Sequence, residues 1–293
     1  MDNIHIPADP NPSKSPGASD NTFDKGAQQD FPWWLLVLIA MIAWTVWTTI
    51  TRQNYREAFL FIIVGIETTI IVSLVSYAIA LILGLTTALA QVSGNSIFRN
   101  FGKVYIEVVR GIPMLVLIFF IALVGVPAAV DILNEFGDWL TENGFIFVGE
   151  YFFKINNNNI PMAGRAVVAL SVTYGAYLSE IFRAGIQSVP AGQTEAGKAI
   201  GMSYFQIMRL NILPQAIRNV LPALGNDFVS MVKDSSLVSV LAVRDITQMS
   251  RLYAGRSFRF RESYLTLSMV YLTLTVTISW LLQKLEKRLK HQS

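Results

Sequence analysis

Long apolar runs alternate with short polar segments along most of this chain. The first, 31–50, is about the 20 residues that a helix needs to cross a bilayer core of roughly 30 Å. Trp33, Trp34, Trp44 and Trp47 stand towards its two ends, where indoles favour the membrane interface. Further runs at 58–90, 104–126, 161–182, 220–243 and 264–285 bring the predicted spans to six. Run 58–90 exceeds one crossing and predicts a protruding or tilted helix, and 220–243 is the more polar of the set. Between 127 and 160, Ile132, Leu133, Phe136 and Leu140 recur at helical spacing with acids opposite them, which predicts an amphipathic helix near 129–141. Residues 1–30 are polar and rich in Pro, Ser, Asn, Asp and Gly, and predict a disordered tail. That tail is too long and too weakly basic for a signal-peptide n-region, so the first span reads as retained.

Composition makes the pattern a membrane one. Apolar residues are 53% of the chain and charged ones only 15%, against about 25% charged in a soluble domain. Mean hydropathy is +0.45. The chain has no cysteine, which removes thiolate and disulfide chemistry. Its two histidines, His5 and His291, lie in the tails, so imidazole chemistry has no place in the membrane core. A net charge of +3 is what basic flanks of membrane spans supply, and does not call for nucleic acid.

Those flanks set an orientation. Residues 284–290 carry four basic groups against Glu286, which puts the C-terminus in the cytoplasm. Counting back through six spans puts 1–30, 91–103 and 183–219 on the same side. Segment 183–219 agrees, with Arg183, Lys198, Arg209 and Arg218, and 127–160 falls outside with five acids. Segment 244–262 disagrees: it falls outside, yet holds Arg244, Arg251, Arg256, Arg259 and Arg261. Either a span is miscounted, or the segment is a solvated loop overruled by the stronger tail, with a docking surface for an acidic partner as the sharper alternative.

Charges within apolar runs cost at least about 2.5 kcal/mol at the bilayer centre and so face protein or a watery path. Glu67, Glu180, Asp227, Lys233 and Asp234 are such groups. With Ser235 and Ser236 they nominate Glu67, Asp227 and 233–236 as a polar route through the membrane, the alternative being interfacial placement or mutual pairing.

On the cytoplasmic side, 192–199 comes within one residue of the phosphate-binding pattern G-x-x-x-x-G-K-[ST], with Ala199 replacing the Mg²⁺-holding hydroxyl. No strand precedes it, so nucleotide binding is rejected. The segment reads instead as an elbow. Pro190 and Gly192 break the chain, and 193–200 forms a short helix whose small residues, Ala196, Gly197 and Ala199, admit another protein's surface. Gly201 makes a sharp turn, Ser203 caps a second helix over 204–211, and Pro214 stops it.

Glu195-Ala196-Gly197-x-x-x-Gly201 followed by Ile212-Leu213-Pro214 resembles the EAA loop of ABC-importer permeases, with Gly197 in place of the third Ala and Asn211 in place of an Ile. Tyr105-Ile-Glu107-Val-Val-Arg110-Gly111-Ile-Pro113-Met-Leu resembles the signature of the polar amino acid permeases, the histidine/glutamine subgroup. Gly65-Ile-Glu-Thr-Thr69 and Lys233-Asp-Ser-Ser-Leu-Val-Ser239 also look like that subgroup. The likeness covers about residues 58–290. It implies an all-α, type I ABC importer transmembrane domain of five core helices plus one extra N-terminal span, in a bacterial inner membrane, with both termini cytoplasmic. It implies no cofactor in this chain and no enzyme activity of its own. ATP and Mg²⁺ would belong to a cytoplasmic ABC ATPase dimer gripping Glu195, Ala196, Gly197, Gly201 and Pro214. Its other implied partners are a second permease copy or a homologous permease, and an extracytoplasmic amino-acid-binding protein. Glu107 and Arg110 would form a local ion pair or act in gating. The rivals are an ion-coupled secondary transporter, which lacks the expected internal repeat, and an intramembrane enzyme, for which only carboxylates, Ser and Lys remain.

Overall fold

The computed structural model describes residues 33–152 and 154–290; the predicted tail over 1–30 lies outside the described residues. Every regular element among the described residues is helical. α1 (Trp33–Thr51) covers most of the first predicted span. α2 (Gln53–Ile62) passes through a 3₁₀ turn at Ile63–Gly65 into α3 (Ile66–Val92), giving a continuous stretch of 40 residues where the sequence predicted an over-long span.

The predicted span at 104–126 is not one helix. α4 (Ser96–Gly111) begins at Asn95, whose side chain accepts the Ile97 N–H, and ends at Gly111. Ile112 and Pro113 are extended, as a residue before proline prefers. α5 (Met114–Phe120) then continues through a π turn at Ile121–Gly125 into α6 (Val126–Glu142). The amphipathic helix predicted near 129–141 is therefore the far end of a 29-residue apolar stretch, Met114–Glu142, and not a separate element. A short α7 (Ile146–Phe152) packs back on it, with Gly149 against the Gly137 carbonyl and Thr141.

α8 (Met162–Gln187) is the central helix, with half of its 26 residues buried. It leads into α9 (Ala191–Ala199) and α10 (Tyr204–Ile207), and a π turn at Met208–Ile212 joins α10 to α11 (Leu213–Asp234). A 3₁₀ stretch, Ser235–Leu241, follows, then α12 (Ile246–Ser257) and α13 (Phe260–Lys290). Three stretches, Gln53–Val92, Met114–Glu142 and Phe260–Arg288, are long and apolar enough to cross a membrane on length and composition alone. Large apolar side chains face outward along them, including Ile71, Leu74 and Ile82 on α3 and Val116 and Phe120 on α5. Such a surface suits lipid and would be an aggregation hazard in water.

The core is built on close approach of α3 and α8. Ser76, Ala80, Gly84 and Ala88 recur every fourth residue on one buried stripe of α3. Ser171 Oγ, which donates to the Val167 carbonyl of its own helix at 2.7 Å, lies 3.2 Å from the Ser76 carbonyl, and Gly84 lies against Gly175, Leu178 and Ser179. Both contacts step forward together, so the two helices run parallel. In lipid, where apolar side chains gain nothing by leaving the acyl chains for one another, small residues that admit dispersion contact and interhelical hydrogen bonds hold helices together. This stripe was present in the sequence, yet the prediction of spans from hydropathy passed over it.

Candidate functional site

The elbow forms as its punctuation predicts, with two corrections. α9 ends in a Schellman turn: Gly201, at φ +80°, donates its N–H to the Lys198 carbonyl, and Met202 donates to Gly197. Ser203 then caps α10 through a reciprocal capping box with Gln206. Pro214, however, does not stop the second arm. The missing proline N–H and the ring's clash with the preceding turn are absorbed by the π turn Met208–Ile212, and the helix runs on to Asp234. The second correction concerns Gly197, which faces inward and not outward. It is buried under Ile207, where a Cβ would stand 2.7 Å from Cγ1.

Asn211, the other departure from the EAA pattern, ties the arms together: its amide donates to the Gln193 carbonyl at 3.2 Å and to Gln193 Oε1 at 2.9 Å. Glu195, Ala196 and Pro214 remain exposed. Beside them stand Ile200 at 78% exposure, Tyr204 at 58% and Phe205 at 68%. These three were missed from sequence, although large apolar residues in an otherwise polar turn are the available signal. The phosphate-loop lookalike 192–199 lies within α9, so it is helix and not the loop that a phosphate cradle requires.

The nominated polar route separates on inspection. Tyr174 on α8 donates its hydroxyl to Asp234 Oδ2 at 2.7 Å. Asp227 lies two turns earlier on the same face of α11, and its buried Oδ2 has no hydrogen-bond partner among the described residues. Tyr77 on α3 donates to the Leu224 carbonyl at 2.6 Å, and its ring packs tilted against Phe228 with centroids 5.0 Å apart. Two tyrosines from α3 and α8 thus converge on α11 with the two aspartates. The neighbours of Asp234 point elsewhere, so 233–236 is not a continuous stripe. Lys233 is exposed, Ser235 is buried and donates to its own helix at Val232, and Ser236 is half-buried. Glu67 is exposed on α3 and does not join the cluster.

The motif that contains Glu67 has a structural office. A Cβ on Gly65 would stand 2.5 Å from the Asp245 backbone, and Thr69 Oγ1 accepts the Ile246 N–H at 3.2 Å. Together they seat the N-terminus of α12. Asp245 caps that helix by accepting from Gln248 N–H, and it is fully buried. Burial pushes its carboxyl up, while hydrogen bonds from Gln248, Thr247 and Tyr271 pull against that rise. α12 also settles part of the arginine-rich loop: Arg259 pairs with Glu57 at 2.7 Å and Arg256 lies over the Phe61 ring.

The second signature divides the same way. Tyr105 donates to the Val172 carbonyl, while Gly111 and Pro113 bracket the break between α4 and α5. Glu107 and Arg110 are exposed on α4, with the Arg110 guanidinium 5.5 Å from the Tyr177 ring, and they form no ion pair with each other.

The chain belongs to the family of binding-protein-dependent transport system inner membrane components, whose model matches residues 80–291. It is an ABC-importer permease of the inner membrane. It is 34% identical over 240 residues to the probable amino-acid permease protein YxeN of Bacillus subtilis (strain 168), covering 82% of this chain and 96% of that one. It is 31% identical over 229 residues to the glutamine transport system permease protein GlnP of Escherichia coli (strain K12), covering 78% and 93%. Among solved structures, an amino acid ABC transporter with histidines matches at TM-score 0.61 and 34% identity, over 78% of this chain and 94% of that chain. The inward-facing MetNI methionine ABC transporter, at TM-score 0.55 and 18% identity, shares the fold.

Proposed function

We propose that this permease carries polar amino acids inward and takes its energy from a cytoplasmic ABC ATPase dimer that grips α9 and α10. The carrying observation is the elbow: its two arms are locked to each other by Gly197–Ile207 packing and by Asn211–Gln193 hydrogen bonds, while Ile200, Tyr204 and Phe205 remain uncovered. A rigid lever with an apolar, aromatic tip fits a cleft in another protein. ATP and Mg²⁺ are held by that partner, and closing its dimer rocks the permease between outward and inward access. A second permease copy or a homologous permease completes the path, and an extracytoplasmic amino-acid-binding protein loads it. Both termini are cytoplasmic, and α1 stands outside the five-span core.

Within the membrane, Asp227 and Asp234 with Tyr174 and Tyr77 form the polar surface along which the amino acid passes. Lys233, Ser235 and Ser236 contribute less. Glu67 does not contribute.

The test is co-expression with an ABC ATPase of an amino-acid importer from the same genome. Affinity capture of the permease is expected to bring the ATPase with it, and Phe205→Asp to lose the ATPase while membrane levels of the permease stay unchanged. Equal capture by Phe205→Asp would refute the assignment of the elbow.

A further inference from the structure

A polar cleft of about 480 Å³ opens between α3, α4 and α8, and none of Tyr77, Tyr174, Asp227 and Asp234 lines it. Its charged lining comprises Arg99, Lys103, Glu107 and Arg110 from α4 and Glu180 and Arg183 from α8. The two α8 residues pair, Arg183 Nη2 lying 2.6 Å from Glu180 Oε2 while Arg183 Nη1 donates to Gln187, and Glu180 also attracts Arg110 without forming an ion pair with it. The four α4 residues behave differently. They follow one another at spacings of four, four and three, which aligns them along one face of the helix. Glu107 therefore has a cation within helical reach on either side. Yet among the described residues Arg99, Lys103, Glu107 and Arg110 form no ion pair at all.

Unspent charges of both signs in one cleft select for a ligand that carries both. A simple anion would be repelled by Glu107, and a simple cation by the three basic groups. An α-amino acid presents a carboxylate and an ammonium on one carbon, and a volume of several hundred Å³ is ample for it. Arg110 is already held, its guanidinium carbon 5.5 Å from the centre of the Tyr177 ring, so less of its rotamer freedom remains to be lost on binding.

We infer that this cleft is a second amino-acid site, on the cytoplasmic side of the permease. Arg110, aided by Arg99 and Lys103, holds the α-carboxylate, and Glu107 holds the α-ammonium. Its sidedness and ligand class rest on the function proposed above. The elbow assignment does not depend on it, so ATPase capture can succeed where this inference fails.

The experiment is equilibrium binding of radiolabelled L-glutamine and L-arginine to the purified full chain in lipid nanodiscs. Saturable binding is expected, weakened at least tenfold by Glu107→Gln and by Arg99→Gln. Arg110→Gln is expected to weaken it at least as far, and Arg110→Lys, which keeps the charge but not the planar fork over Tyr177, to weaken it less than Arg110→Gln. N-acetyl-L-glutamine, which lacks the ammonium, and L-glutamine amide, which lacks the carboxylate, should compete poorly. Four results would overturn the inference: no binding to the wild-type chain, unchanged binding in both Glu107→Gln and Arg99→Gln, or equal competition by either N-acetyl-L-glutamine or inorganic phosphate. The last two would mark an anion site only, such as one for a lipid headgroup.

Discussion

Gly197 and Ile207 meet with no space for a side chain between them, since a Cβ on Gly197 would stand 2.7 Å from Ile207 Cγ1. This contact joins α9 to α10 and accounts for glycine where the EAA pattern carries alanine. Cγ1 of a β-branched residue has little freedom to withdraw. Gly197→Ala is therefore expected to loosen the elbow and lower ATPase capture, and Ile207→Ala to restore it in the double variant. A coupling of about 1 kcal/mol between the two sites is in the range for residues in contact. Thermal denaturation of the two single variants and the double variant measures it, and additive effects would show that the arms are not packed.

Gly201 presents the opposite case. No atom lies within 4 Å of the Cβ it lacks, so the demand is on the backbone alone, at φ +80°. A non-glycine residue in this region costs about 1–2 kcal/mol, more when β-branched and less for Asn. Gly201→Val is expected to uncouple transport while leaving membrane insertion intact, with Gly201→Asn between it and wild type. Substrate-stimulated ATP hydrolysis and uptake by the assembled transporter are the readouts. Normal values for the Val variant would contradict the lever.

On α3, a Cβ at Gly84 would stand 2.7 Å from Leu178 Cβ and 3.1 Å from the Ser179 nitrogen. Backbone cannot yield as a side-chain tip does, so Gly84→Val is expected to destabilise the fold by about 1–3 kcal/mol, the usual penalty of overpacking. Gly94, with nothing within 4 Å of its Cβ position, supplies the control: Gly94→Ala should melt as wild type.

Asp245 caps α12 from a fully buried position. Asp245→Ala removes the cap and leaves Tyr271 and Thr247 short of a partner, so a loss of at least about 1 kcal/mol is expected. Asp245→Asn keeps an acceptor for the Gln248 N–H and is expected to be milder. Because burial raises this carboxyl, the folded state binds more protons than the unfolded one between the ordinary carboxylate value and the raised one. Stability falls as pH rises through that window. Melting temperatures across mildly acid pH should show this slope in the wild type and its reduction in Asp245→Asn.

The elbow was legible in the sequence because its determinants are local: Pro190, Gly201 and Ser203 each dictate the backbone within a turn of themselves. Hydropathy marked where apolar helices lie but misplaced a boundary at 104–126. The apolar content there is continuous, and only Ile112-Pro113 signals that α4 ends before α5 begins. Pro214 was misread for a related reason, since a π turn lets a helix pass a proline and leaves no compositional trace. Contacts across the chain were beyond reach. Tyr174 and Asp234 are 60 residues apart, and Thr69 and Ile246 are 177 apart, so nothing local distinguishes Asp234, which is engaged, from Glu67, which is not.

The energy source tests the central claim most directly. Uptake of a polar amino acid is to be measured in proteoliposomes holding this permease with an ABC ATPase that it captures and an amino-acid-binding protein, with ATP inside, and with or without an uncoupler. Uptake that needs ATP and survives the uncoupler is the predicted result. Uptake that collapses with the uncoupler while ATP remains would contradict the account.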